Sequence, residues 1–115
     1  MDRLRLDVLY VQSEESQEPI LYFLERIFGC YVVICRSIDE GREEYNKRSF
    51  HAVIVSDTLI NPNDGWYWAE ELHKTGCKVR VLSPTRLPGY TAPFISRKNK
   101  FADIRYLLKI FLERV

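Results

Sequence analysis

Ala52-Val53-Ile54-Val55-Ser56-Asp57-Thr58-Leu59-Ile60-Asn61-Pro62-Asn63-Asp64-Gly65 is the stretch whose reading decides the fold. Its first four residues form a short, fully apolar run of strand formers. Such a run suits a strand buried on both faces of a parallel sheet, and this one is expected to be central. Ser56 to Asp64 is dense in turn formers and reads as a loop. Trp66, Ala69, Leu72 and His73 then fall on one face of a helix, with Gly76 as its stop. The stretch is therefore a strand, a polar loop and the start of a helix.

Working outward, the same alternation repeats. Val8 to Val11 is a second short apolar run, followed by the polar loop Gln12 to Gln17. Pro19 suits a first helical turn. Ile20, Leu24, Ile27 and Phe28 follow with helical spacing, and Gly29 ends the pattern. Tyr31 to Cys35 reads as a strand. Ser37-Ile38-Asp39-Glu40 reads as a capping box, in which the serine caps the helix and the glutamate bonds back. The helix it opens is mostly polar and runs to about Arg48. Lys78 to Leu82 is the fourth strand. Ser83 to Pro93 holds Pro84, Pro88, Gly89 and Pro93, and no helix of ordinary length fits there. Phe94-Ile95 is a short last strand. Phe101, Ile104, Leu107, Leu108 and Phe111 mark an amphipathic final helix. Strands separated by helices imply right-handed crossovers and a parallel sheet covered on both faces.

Bulk composition bounds the function. The 115 residues match one domain, 1–115, with no room for a separate output domain. The chain is 46% hydrophobic and 29% charged, which is globular. Lys plus Arg is 17 and Asp plus Glu is 16, so the net charge of +1 argues against nucleic acid as the partner. Cys30, Cys35 and Cys77 are odd in number and lack C-x-x-C spacing, which points to a reducing, cytoplasmic setting with the thiols acting as small apolar residues. The charged N-terminus is unlike a signal peptide, and no apolar run approaches the ~20 residues that span a bilayer. His51 and His73 read as structural. Trp66, Tyr67 and Trp68 are consecutive, so at least one is expected to be exposed as a partner surface.

Ligands of open parallel sheets bind at the carboxyl ends of the strands. There the sequence places Gln12, Ser13, Glu14 and Glu15, then Ser56, Asp57 and Thr58, then Ser83, and finally Arg97 and Lys98. A carboxylate, a hydroxyl and a cation converge. On these residues the chain resembles the receiver domain of two-component response regulators, CheY-like and flavodoxin-like, over essentially its whole length. Asp57 ends the third strand and Gly65 lies eight residues on, after Asp64, as in receivers. The resemblance makes Asp57 the phosphoacceptor position, Ser83 and Arg97 the phosphoryl-ligand positions and Phe94 the switch aromatic. It implies a three-layer α/β sandwich with a five-stranded parallel sheet of order 2-1-3-4-5.

The sequence departs from the receiver pattern at several points. Receivers hold Mg²⁺ with an acidic pair after the first strand, and Gln12 and Ser13 stand in its place, with Glu14 beside them. Asp57 and Glu14 are the residues left for the metal, so the expectation is no cofactor, or weakly held Mg²⁺. Pro62 lies five residues after Asp57 where receivers usually have four. Arg97 replaces the usual lysine and keeps its charge but not its geometry, and Lys98 replaces a proline. Residues 84–96, 13 in all, are too few for a helix plus a strand. The fourth helix is therefore expected to be absent or reduced to a loop.

The reading that follows is a stand-alone, atypical receiver-like domain, a pseudo-receiver. It would signal by protein–protein interaction without Mg²⁺-dependent phosphorylation and would not be an enzyme. Its partner would be a histidine kinase or another signalling protein, not a membrane. A homodimer through the last strand and last helix would fit receivers. One rival is a phosphorylatable single-domain response regulator that accepts a phosphoryl group from a histidine kinase on Asp57. Another is a small flavodoxin-like enzyme or nucleotide binder, for which the sequence carries no G-x-G-x-x-G or P-loop.

Overall fold

The computed structural model describes residues 5–12, 19–56 and 61–113. Five strands form one parallel sheet: β1 Asp7–Val11, β2 Tyr31–Cys35, β3 Ala52–Ser56, β4 Val79–Ser83 and β5 Phe94–Ser96. Their spatial order is β2-β1-β3-β4-β5. Among the described residues the helices are α1, which is α-helical over Pro19–Tyr22 and π-helical over Phe23–Ile27, α2 Ile38–Lys47, α3 Pro62–Lys74 and α4 Phe101–Glu113.

Strand side chains alternate between faces, so one sheet feeds two cores. Val8, Tyr10, Ala52, Ile54, Leu82 and Ile95 pack with Ile20 and Leu24 of α1 and with Ile104, Leu108, Phe111 and Leu112 of α4. Leu9, Val11, Val53, Val55, Val79 and Val81 pack on the opposite face with Trp66, Trp68, Ala69 and Leu72 of α3. Every residue of β3 is buried, as its apolar run requires. The result is the expected three-layer sandwich.

Local sequence sets the helix ends. Gly29 ends α1 at φ 68°, a conformation that suits glycine. Ser37 Oγ accepts the Glu40 N–H at 3.1 Å. Glu40 Oε2 accepts the Arg36 N–H at 2.9 Å, one residue earlier than the reciprocal bond of a standard capping box. Asn61 caps α3 by accepting the Asn63 N–H at 3.1 Å, ahead of Pro62.

Four apolar or aromatic expectations are corrected. Phe101 is 63% exposed and Leu107 37% exposed, because the buried stripe of α4 runs through Ile104, Leu108, Phe111 and Leu112. Ile27 is also exposed. The Phe28 N–H donates to the Phe23 carbonyl at 2.9 Å, and this wider turn breaks the 3.6-residue frame that would have placed Ile27 inward. His73 is exposed, about 100° around α3 from buried Leu72. Trp68 joins the buried face in its stead, edge-on to Tyr45 of α2 at 6.2 Å. Of the three adjacent aromatics only Tyr67 is exposed, at 56%.

No helix forms between β4 and β5. The link is nonetheless built. Ser83 Oγ donates to the Thr85 carbonyl at 2.8 Å, and Ser96 Oγ donates to the Pro84 carbonyl at 2.9 Å. Arg86 Nη1 donates to the carbonyls of Tyr90 and Ala92 at 3.2 and 2.7 Å. Gly89 takes φ 92°. Tyr90 stacks on Trp66 with ring centroids 6.0 Å apart. These contacts cover the flank of the sheet that a fourth crossover helix would otherwise cover.

Candidate functional site

The parallel topology brings the ends of β1, β3, β4 and β5 to one edge. Gln12 follows β1 and is buried, with its N–H donating to the Cys35 carbonyl at 2.8 Å. Ser56 closes β3 and is fully buried. Ser83 closes β4 in register with Ser96 of β5. The Arg97 N–H donates to the Ser83 carbonyl at 3.0 Å, which continues that ladder past the end of β5.

From there the Arg97 side chain crosses the edge. Its Nη2 donates to Ser56 Oγ, two strands away. A guanidinium cannot be deprotonated, so a permanent positive charge lies against the residue that precedes Asp57. Asp57, Ser13 and Glu14 lie outside the described residues, as do Glu15 and Thr58.

Ser83 is buried at the end of β4, but its hydroxyl proton is directed at Thr85, into the link. Phe94 is half-buried in β5 and boxed in. Its ring lies 6.0 Å from that of Trp66, and the Arg86 guanidinium carbon sits 5.0 Å over it. The described donors at the edge are thus neutral oxygens of Gln12, Ser56 and Ser83 beside one guanidinium. Mg²⁺ is ordinarily held by one or two carboxylates, and this described set does not fit it.

The sequence reading therefore located Gln12, Ser56, Ser83 and Arg97 on one edge, and the structure brings Ser56 and Arg97 into contact. It missed Glu70. That carboxylate of α3 is buried against the link and accepts the Thr91 N–H at 2.7 Å and the Ala92 N–H at 2.9 Å. The signal for it is a charged residue directly after Ala69, beside the apolar face of α3. The reading also missed that Arg86 would organise the link, since an arginine among prolines has no periodicity to betray its target.

A five-stranded parallel sheet of this order with helices on both faces is the receiver-like fold, here with four helices among the described residues and none between β4 and β5. Solved structures agree. The signal receiver domain of an HD domain-containing protein from Pseudomonas fluorescens Pf-5 matches with a TM-score of 0.72 at 17% identity, over 96% of this chain and 97% of that one. The chemotaxis response regulator of Vibrio cholerae matches with 0.71 at 14%, over 94% and 99%. A CheY-like receiver domain protein from Methanospirillum hungatei JF-1 matches with 0.73 at 15%, over 96% of each. No protein-family profile and no curated protein matches the sequence. Among the described residues no helix is long and apolar enough to cross a membrane.

Proposed function

We infer that this chain is a pseudo-receiver: a signalling module that works through contact with another protein rather than through a Mg²⁺-dependent phosphoryl switch, and not as an enzyme. The observation that carries this reading is the Arg97–Ser56 hydrogen bond. A receiver cation must swing onto an incoming phosphoryl group, and here the cation is already engaged at the edge. Two further features support it. The Ser83 hydroxyl donates to Thr85 and so is committed to the link. Phe94 is held between Trp66 and Arg86, which opposes the rotation that a switch aromatic must make. The resulting face has one state, which suits recognition by a signalling protein. Three free thiols, Cys30, Cys35 and Cys77, fit a reducing cytoplasm.

The test is incubation with acetyl phosphate, or a beryllofluoride salt, and Mg²⁺, read by intact mass and by NMR shifts at the carboxyl edge. The expected result is no adduct. A second arm restores the receiver pattern with Gln12→Asp, Ser13→Asp and Arg97→Lys together, and that variant is expected to gain Mg²⁺-dependent modification at Asp57. A Mg²⁺-dependent adduct on the natural chain, lost in Asp57→Ala, overturns the reading.

A further inference from the structure

The strand at the open end of the sheet, β2, carries a second surface on the opposite flank from β5. Among the described residues nothing pairs outside β2. Its Tyr31 N–H donates to Leu6, and its Cys35 carbonyl accepts from Gln12, so the groups of Tyr31, Val33 and Cys35 face β1. The N–H and C=O of Val32 and Ile34 consequently point outward. Exposed edges of this kind are templates for pairing unless blunted by charge, proline or a bulge. β2 has no proline and no charged residue. It exposes Tyr31 at 41% and Ile34 at 43%.

The edge is also polarised. At its N-terminal end the Arg5 and Arg48 guanidinium carbons lie 4.7 and 5.4 Å from the Tyr31 ring centre. Neither arginine has a carboxylate partner among the described residues. At the C-terminal end α2 opens with Asp39 and Glu40, and Glu40 bonds back to the Arg36 N–H directly after the strand. Glu43 and Glu44 are engaged by Lys47, whereas Asp39 and Glu40 have no ion-pair partner among the described residues. Arg36, directly after the strand, adds a cation at that end. Among the described residues the edge therefore runs from Arg5 and Arg48, beside Asp7, at its N-terminal end to Asp39 and Glu40 at its C-terminal end.

A strand polarised in this way is complementary to itself when reversed. We propose that β2 pairs antiparallel with β2 of a second copy of this chain about a two-fold axis through Val33, making one ten-stranded sheet. Val32 then lies opposite Ile34 of the second copy, and the two exchange both backbone hydrogen bonds. Val33 faces its own copy, and Tyr31 faces Cys35. Arg5 and Arg48 of each chain meet Asp39 and Glu40 of the other. The contact is isologous and closed, so it stops at two copies. It leaves the last strand and last helix free for a partner.

Sedimentation equilibrium over a range of protein concentrations tests this. The natural chain is expected to dimerise, less so at high salt. Ile34→Lys and Arg48→Glu should each weaken the dimer by about tenfold or more, and Asp39→Lys added to Arg48→Glu should restore it. Tyr106→Glu, on the exposed side of α4, should leave it unchanged. A chain that stays monomeric throughout overturns the proposal, as does a dimer split by Tyr106→Glu and indifferent to Ile34→Lys. Should Ile34→Lys fail to fold by circular dichroism, Val33→Cys decides. Its non-hydrogen-bonded pair would bring the two sulfurs within bonding reach, and mild oxidation should give a reducible dimer on a gel, while Tyr67→Cys gives none. Absence of that crosslink overturns the two-fold pairing.

Discussion

Glu70 and Thr91, 21 residues apart, are joined by one carboxylate that accepts both the backbone N–H and the hydroxyl of the threonine. This clasp fastens the helix-free link to α3. It secures the flank of the sheet where no helix connects β4 to β5. Glu70 also accepts the Ala92 N–H, so three donors depend on one side chain. Truncating it strands the Ala92 N–H inside the fold, at about 1–3 kcal/mol for a buried group left unsatisfied. Glu70→Ala is therefore expected to lower the unfolding free energy by roughly that amount in urea titration. Thr91→Val, which removes only the hydroxyl, should cost less, about 1 kcal/mol.

The same clasp makes the fold sensitive to acid. Burial by itself pushes the Glu70 carboxyl up, but the Thr91 and Ala92 hydrogen bonds and the Lys74 charge outweigh it and hold the group below its ordinary value. A carboxyl depressed in the folded state contributes stability that is in place above its unfolded value and lost as pH falls through the folded one. The urea midpoint should drop as pH falls below the ordinary glutamate range, and Glu70→Gln should flatten part of that drop. An identical slope in the variant would remove Glu70 from the acid response.

Gly41 marks the closest approach of α2 to the core. A Cβ there would lie 2.9 Å from Val11 Cγ2 and 3.2 Å from Trp68 Cη2 and Cζ3. Both neighbours are buried and packed, so neither can withdraw freely. Gly41→Ala is expected to destabilise the protein by about 1–3 kcal/mol from overpacking, offset in part by alanine's better helix propensity. Thermal unfolding followed at the tryptophans would show the loss, and Gly41→Val should be worse than Gly41→Ala.

The three thiols should separate by reactivity. Cys35 is pushed up to about 11 by burial first, then by the charges of Glu40 and Glu44. Burial also raises Cys30. Burial raises Cys77 as well, partly relieved by its hydrogen bond with Tyr45, but this cysteine is only half-buried. A thiolate reagent at about pH 8 should label Cys77 first and reach Cys30 and Cys35 only on unfolding. Peptide mapping after timed quenching would report the order.

Much of the architecture was legible before any coordinates. The apolar runs at Val8, Tyr31 and Ala52 are each too short for a helix and continuous rather than alternating, and Val79 to Leu82 is a strand of similar length, so a parallel sheet with two covered faces was the consistent solution. Gly29, Ser37 and Asn61 act locally, through backbone conformation and caps, and local chemistry is readable from local sequence. Position within a helix was less secure. Ile27 was misplaced by a wide turn, and His73, Phe101 and Leu107 lie just beside the buried stripes of α3 and α4, whose exact rotation is set by packing on the sheet.

The sequence by itself determined that strands alternate with helices, that Ser83 to Pro93 holds no helix, and that Gln12, Ser56, Ser83 and Arg97 belong to one sheet edge. These follow from periodicity, from the missing proline donors and from the topology of parallel sheets. Only the tertiary structure decided what those residues do there. That Arg97 reaches Ser56, that Ser83 turns to Thr85, and that Glu70 holds Thr91 and Ala92 are pairings across 41, 2 and 21 or 22 residues. A polar side chain has several possible partners within its reach. Which one it takes is set by how the helices and the link close over the sheet, and burial then makes the choice binding, because an unpartnered polar group inside the fold is costly.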